Sequence, residues 1–118
     1  MKITLYWRIP SKKNCKQRTK HWLISSKKYL DWEKSQIKYL PGIIQPLHLQ
    51  KVMINYLFYM PDHRKTDLSN KVESVNDMLV KYWLLEDDNW TVITQFTCKC
   101  LWVDKENPRV EIDILELM

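Results

Sequence analysis

Acidic and amide side chains are concentrated in the middle of the chain. They occur in the stretch TDLSNKVES, residues 66–74, and again in Glu86-Asp87-Asp88. Carboxylates that are separated in sequence can converge on Mg²⁺, a hard cation that prefers oxygen ligands. A metal held in this way lowers the pKa of a bound water and neutralises charge on a scissile phosphodiester. These residues therefore make metal-dependent phosphodiester chemistry one hypothesis for the segment.

Each of these side chains also has a purely structural explanation. Asp67 can be an N-cap whose carboxylate accepts hydrogen bonds from the first turn of a helix. The Asp87-Asp88 pair can be ordinary turn residues. The polar residues between them can form the solvated face of a helix. The spacing of the residues does not by itself choose between these explanations and a metal site.

Charge is distributed unevenly along the chain. Residues 1–40 carry a net charge of +9 and residues 41–118 a net charge of −4, within a total of +5. A positive first segment suits a polyanionic partner such as DNA. The alternative is that these lysines only keep the surface solvated.

Length and composition exclude several classes of protein. A chain of 118 residues is expected to form one domain, 1–118. It contains no run of 18 apolar residues, so we expect no membrane-spanning segment. A single glycine, Gly42, argues against phosphate-binding glycine loops and therefore against a nucleotide cofactor.

The cysteines favour a reducing compartment. Cys15, Cys98 and Cys100 are odd in number and form no CxxC pair, which argues against a disulfide framework and a zinc site. We expect Cys98 and Cys100 to be small buried residues of a strand, most of the six tryptophans to be buried, and the protein to be cytoplasmic.

Periodicity gives the elements that would position the acidic residues. Two helices are predicted, the first from Ser25 or Ser26 to about Leu40. The second has an apolar stripe formed by Leu68, Val72, Val75, Leu79 and Tyr82, with Asn70, Glu73 and Asp77 on the opposite side. Four strands are predicted, with a basic loop at 11–21 after the first: 2–9, 47–60, 90–102 and 109–117.

These elements predict an α+β domain with the order β-α-β-α-β-β. We expect a mixed, mostly antiparallel four-stranded sheet with two helices. The strand at 47–60 is expected to be buried on both faces over its second half. The last two strands, joined by the turn at 104–108, are expected to pair as an antiparallel hairpin.

The run PDHRKTDLSNKVESVNDMLVKYWLLEDDNW, residues 61–90, resembles the RusA-like family of Holliday-junction resolvases of bacteria and their phages. Its motif residues correspond to Asp67, Asn70, the Asp77-Met78-Leu79 step and the Asp87-Asp88 pair. The resemblance extends to SKKNCKQ, which is similar to the family's Lys/Asn-rich loop, and to NPRVEIDI, which is similar to its closing strand. Most of the chain is covered, in the order and spacing of the family.

The resemblance implies a homodimeric endonuclease that cuts Holliday junctions or other branched DNA with Mg²⁺ or Mn²⁺. It implies that Asp67 and Asp88 hold the metal with help from Asp87 and Glu73, and that Asn70 belongs to the catalytic set. We expect phosphates to be bound by Lys12, Lys13, Asn14, Lys16, Arg18, Lys20, Arg64, Lys65 and Lys71.

Two positions depart from the family pattern. Ser69 replaces the second aspartate, and Glu73 replaces a helix lysine that is implicated in catalysis. Glu73 can restore the carboxylate that Ser69 lacks, and Lys71 or Lys65 can supply the positive charge. The alternatives are a catalytically inactive protein that binds branched DNA, and a protein–protein adaptor whose acidic face is only solvated.

Overall fold

The computed structural model describes residues 1–6, 16–18, 23–25, 27–65 and 67–117, with the backbone alone at 16–18 and 23–25. The strands are β1 Lys2–Tyr6, β2 Lys16–Arg18, β3 Leu23–Ser25, β4 Val52–Met60, β5 Ile93–Val103 and β6 Arg109–Glu116. The helices are α1 Lys27–Gln36 and α2 Leu68–Lys81, and two short 3₁₀ turns follow α1, at Ile37–Tyr39 and Pro41–Ile43. Neither described α-helix is long and apolar enough to cross a bilayer.

Four strands form the main sheet in the order β1-β6-β4-β5. β6 is antiparallel to both β1 and β4, whereas β4 and β5 are parallel and are connected through α2. A parallel pair needs such a crossover, because a tight turn joins only antiparallel strands. The predicted α+β class, with a mixed and mostly antiparallel four-stranded sheet and two helices, is confirmed.

Two predictions of local pairing are wrong. β5 and β6 do not form a hairpin, because β4 lies between them and pairs with both. Alternation along a strand identifies its faces, but it does not identify its neighbours. Within the predicted loop at 11–21, residues 16–18 instead form β2, which pairs antiparallel with β3. The rest of that loop lies outside the described residues.

The core lies on one face of the main sheet. β4 places Ile54, Tyr56 and Phe58 on this face, all of them buried, while its intervening residues are half-buried. The prediction that β4 is buried on both faces is therefore wrong. The predicted apolar stripe of α2 is confirmed, since Val72, Val75 and Leu79 are buried and Leu68 and Tyr82 are partly buried against the same cluster. The alternate residues of β4 and the apolar stripe of α2 thus belong to the same core cluster.

Helix α1 is attached to the end of β1 by polar contacts. The backbone N–H of Tyr6 donates to Gln36 Oε1 at 2.7 Å, and Trp32 Nε1 donates to the Tyr6 carbonyl at 3.3 Å. On its other side, Tyr29 Oη donates to the Ser74 carbonyl of α2 at 3.2 Å. Both backbone groups of a terminal strand residue are thus satisfied by one helix, which fixes α1 relative to the sheet.

Strand β5 is an exposed edge of the sheet, and predictions about its side chains fail there. Cys98 is half-buried and Cys100 is exposed, although both were expected to be buried. Of the four tryptophans with described side chains, Trp32 alone is buried, while Trp90 and Trp102 are 82% and 70% exposed. The other exposed one, Trp83, follows α2. The alternating pattern of β5 is that of a covered strand, but only Ile93 is buried, and Cys98 packs partly against the core.

The segment that follows α1 packs tightly against the end of α2. The N–H groups of Leu47 and His48 both donate to the Trp83 carbonyl, at 2.9 and 3.0 Å. A Cβ added at Gly42 would lie 2.6 Å from the Tyr82 carbonyl oxygen. No side chain fits at this close approach of two backbones, which explains why glycine stands there.

We predict that Gly42→Ala lowers the free energy of unfolding by roughly 1–3 kcal/mol, because the new methyl group would clash with backbone rather than with a movable side chain. Urea denaturation followed by far-UV circular dichroism measures this. The control is Gln45→Ala at an exposed site of the same segment. Equal stability of the two variants would contradict the packing described.

Candidate functional site

A cavity of about 320 Å³ lies between α1, the second half of α2 and the turn that precedes β5. Its lining is rich in titratable side chains. The carboxylates come from all three elements, with one ammonium group and one phenol beside them: Tyr29, Leu30, Glu33, Asp77, Val80, Lys81, Asp87 and Asp88. A helix, a second helix and a turn thus bring together acidic residues that are separated by up to 55 positions in sequence.

Glu33 is the buried acid of this cavity. Its Oε1 accepts a 2.6 Å hydrogen bond from Lys81 Nζ and another of 2.6 Å from Tyr82 Oη, and its side chain is 3% exposed. Burial, the hydrogen bond to Glu33 and the charge of that carboxylate raise the pKa of Tyr82 to about 12, so the phenol stays a donor at neutral pH. A buried carboxylate requires such compensation.

Lys81 brings a positive charge to the same cavity. It stands four residues after Asp77 on α2, and side chains at this spacing are neighbours on one helix face. Its side chain is partly exposed, and the ion pair with Glu33 holds its ammonium group at the cavity wall. The cavity therefore contains a fixed cation among several carboxylates.

Asp88 is in a crowded electrostatic environment. Asp88 is exposed, but partial desolvation, a hydrogen bond with Asp87 and the charges of Asp77 and Asp87 raise its pKa above the ordinary value. The turn itself is held by Asp87, whose Oδ1 accepts the Asp88 N–H at 2.7 Å and whose Oδ2 accepts Asn89 Nδ2 at 3.0 Å. The predicted turn at 86–89 is confirmed, and Asp87 serves in it as a turn residue.

Asp67 lies at the other end of α2. It occupies the N-cap position but makes no capping bond, and its Oδ2 accepts a hydrogen bond from Asn70 Nδ2 at 3.3 Å. Ten residues separate it from Asp77, which corresponds to about 15 Å along the helix axis. Glu73 is exposed on the helix between them. Asp67 and Glu73 are thus absent from the cavity that contains Asp87 and Asp88.

The predicted metal ligands are not gathered into one group. Within the described part of the chain, no three His, Cys, Asp or Glu side chains lie close enough together to hold a metal ion. A Mg²⁺ ion often takes one or two protein carboxylates and completes its octahedron with water and substrate phosphate. Asp88 with Asp77 or Asp87 has the chemistry for such a site, and metal binding stays a prediction.

The predicted DNA-binding residues fall into three groups. Arg64 and Lys65 are exposed before α2, with the Arg64 guanidinium 3.8 Å from Asp62. Lys71 is buried on the face of α2 that carries Val75, and its role in DNA binding stays a prediction. The remaining side chains lie outside the described residues: Lys12, Lys13, Asn14, Lys16, Arg18 and Lys20.

Sequence reasoning missed Glu33 and Lys81 as members of the cavity. One signal for Glu33 was available, because in the predicted first helix it stands four residues after Tyr29 and next to Trp32, two large aromatic residues. A charged residue on an apolar face needs a partner when it is buried. The position of Lys81 depends on how α1 and α2 cross, which no local pattern contains.

Comparison with known proteins adds no assignment. No protein-family model matches the chain, and no curated protein is significantly similar to it. The resemblance of residues 61–90 to RusA-like resolvases therefore stays a prediction.

We predict that Asp88→Asn raises the melting temperature at pH 7 in EDTA. The folded-state pKa of Asp88 is raised, so its ionised form destabilises the folded protein above that pKa, and this cost disappears below the ordinary value of 3.8. Removing the charge therefore stabilises the protein at pH 7 and not near pH 3. Thermal scans at both pH values test this, with Asp31→Asn on the exposed side of α1 as the control. An unchanged or lower melting temperature at pH 7 would contradict the conclusion that the ionised form of Asp88 destabilises the folded protein.

Proposed function

We propose that the chain is a Mg²⁺-dependent, structure-selective DNA endonuclease that resolves Holliday junctions or other branched DNA. The observation that carries the proposal is the cavity in which Asp77 of α2 and the Asp87-Asp88 pair of the turn lie beside Lys81, whose ammonium group is paired with Glu33. Carboxylates held close together repel one another and destabilise the folded protein, and a bound divalent cation would relieve this repulsion. That the substrate is DNA is inferred from the resemblance of residues 61–90 to RusA-like resolvases.

The residues of the cavity have separate roles in this proposal. Asp88 would hold the metal together with Asp77 or Asp87, and the metal would supply an activated water and charge stabilisation at the scissile phosphate. Lys81 provides the positive charge that the family places at the position of Glu73. Glu33 positions Lys81. Asp67 stays a candidate second ligand by resemblance, and the experiment below includes it for that reason.

The proposed partner is branched DNA bound through its phosphates. The strongly positive segment 1–40, together with the exposed Arg64 and Lys65, suits binding by charge and shape rather than by base sequence. A homodimer fits this activity, because a four-way junction is resolved by two symmetric cuts and a two-fold axis supplies two identical sites.

A specific observation favours the second candidate function, an inactive protein that binds branched DNA. Ser69 and Glu73 stand exposed where the family has an aspartate and a lysine, and neither lies in the cavity. Such a protein would bind a junction in EDTA and would cut it with no divalent metal.

The deciding experiment incubates a labelled synthetic four-way junction with the protein and Mg²⁺ or Mn²⁺. We expect symmetric cleavage by the wild type, and a loss of at least about a hundredfold in single-turnover rate for Asp88→Asn. Asp77→Asn should also lose activity. Asp31→Asn is the matched control and should cut like the wild type.

The outcomes separate the hypotheses. If the protein binds the junction but cleaves it with no metal, the nuclease hypothesis is rejected in favour of an inactive protein that binds branched DNA. Cleavage lost in Asp67→Asn but kept in Asp88→Asn would move the site to the start of α2. A chain that neither binds nor cuts the junction would be no junction enzyme.

A further prediction concerns salt dependence. Arg64→Ala/Lys65→Ala removes two exposed charges, so it should weaken junction binding and reduce the slope of log affinity against log salt concentration by about 2. Gel shifts across a salt series measure this slope. The control is Lys51→Ala, an exposed lysine just before the opposite end of β4. An unchanged slope would remove these two residues from the DNA surface.

A further inference from the structure

β5 is a long and unprotected sheet edge. Among the described residues it has a strand partner on one side only, and eight of its eleven residues are exposed. It contains no proline or glycine and a single charged residue, Lys99. The opposite edge, β1, has only five residues. Proteins normally protect long edges with charges, proline or a covering element, since an open edge pairs with other strands.

The exposed edge also carries an apolar stripe. Its register with β4 places Phe96, Cys98 and Cys100 beside Ile54, Tyr56 and Phe58, on the face that carries the helices. Phe96 is nevertheless 54% exposed, and Cys100 is exposed as well. The stripe alternates like the buried face of a strand, although Phe96 and Cys100 are exposed and Cys98 is only half-buried.

Two irregularities delimit the regular part of the strand. The register with β4 shifts at Thr94 and again at Leu101, which leaves Gln95–Cys100 as the uninterrupted segment. The second shift places Trp102 beside Tyr59, on the face away from the helices, where it is 70% exposed. A bulge re-aims side chains in this way, so the edge presents aromatic residues on both of its faces.

We propose that two copies of this chain pair antiparallel through β5 and join their sheets into one eight-stranded sheet. The occupant of the edge is a second copy because the strand is complementary to itself. A two-fold axis perpendicular to the sheet keeps each side chain on its own face, so residues opposite each other are both odd or both even within the regular segment. Full overlap of Ile93–Val103 with itself centres the pairing on Cys98.

This register is favourable for every central pair. Phe96 stands opposite the partner's Cys100, and Cys98 stands opposite the partner's Cys98, so apolar side chains meet. Lys99 stands opposite the partner's Thr97, so no like charges face each other directly. The neighbouring register, centred on Lys99, would place two ammonium groups opposite each other.

The area available is of the size that a dimer requires. Phe96 and Trp102 together expose roughly 250 Å², from side chains that bury about 150–250 Å² each. A specific interface buries about 800 Å² per partner. The six other exposed residues of β5 and its unpaired backbone groups supply the remaining contact.

Light scattering on purified protein tests the proposal through two substitutions at one exposed site. The wild type should have twice the chain mass of 14.4 kDa. Thr97→Lys would place like charges opposite each other twice, and Thr97→Glu would pair each new carboxylate with the partner's Lys99. We expect the dimer dissociation constant to rise about two- to thirtyfold in the first variant and to fall by a similar factor in the second.

A disulfide crosslink tests the register. Directly opposite residues of an antiparallel pair have Cα atoms about 4.5–5.5 Å apart, within the range of a disulfide. Cys15→Ser/Cys100→Ser retains Cys98 and should give a crosslinked dimer with diamide, which accepts the two thiol hydrogens. Cys15→Ser/Cys98→Ser retains Cys100 and should not crosslink.

Three outcomes would overturn the proposal. The first is a mass of 14.4 kDa at every concentration, which would leave the edge to a different protein or to no partner. The second is a dimer that responds equally to Thr97→Lys and Thr97→Glu. The third is a dimer that crosslinks through Cys100 but not through Cys98. The pairing rests on the homodimer of the proposed function and identifies its surface. None of these measurements needs DNA or metal, so they test the strand pairing separately from junction cleavage.

Discussion

The packing of α2 on the buried face of β4 is the contact on which the rest of this fold depends. Val72, Val75 and Leu79 cover Ile54, Tyr56 and Phe58, and Tyr56 Oη donates to Asn76 Oδ1 of the helix. Because α2 also forms the crossover between β4 and β5, this contact sets the parallel pairing of those strands. It further decides which side of α2 faces α1, and so which of its polar residues meet Glu33.

The electrostatics of the cavity follow from this arrangement. Glu33 is buried because α1 lies across the sheet beside α2, and its charge is compensated by two donors at the end of α2, Lys81 and Tyr82. Asp77 lies one helical turn before Lys81, and the turn after α2 brings Asp88 back toward it. A compensated acid and a group of crowded acids thus share one cavity. The first has a structural explanation, whereas the second is the basis of the proposed metal site.

The sequence predicted the helices and strands better than it predicted which strands pair with each other. The stripe of α2 and the alternation of β1, β4 and β6 follow from local periodicity, and each of these elements is found near its predicted position. The pairing of β5 with β4 depends on competition between distant segments, and this is why the hairpin prediction failed. The predictions that Cys100 and most of the tryptophans are buried failed for the same reason, because an alternating pattern does not distinguish an edge strand from a central one. The site shows a similar division: the turn of Asp87 and Asp88 was predictable, but their neighbour in space was Asp77 rather than Asp67.

The attachment of α1 to Tyr6 has a consequence for how the basic segment between them can change. Tyr6 ends β1 and is held by Trp32 and Gln36 of α1, which begins at Lys27. Closing a loop costs only about 0.6 kcal/mol more for each doubling of its length. A change in the number of residues between β1 and α1 therefore adds little to the closure cost, provided that the contact of Tyr6 with Trp32 and Gln36 is kept.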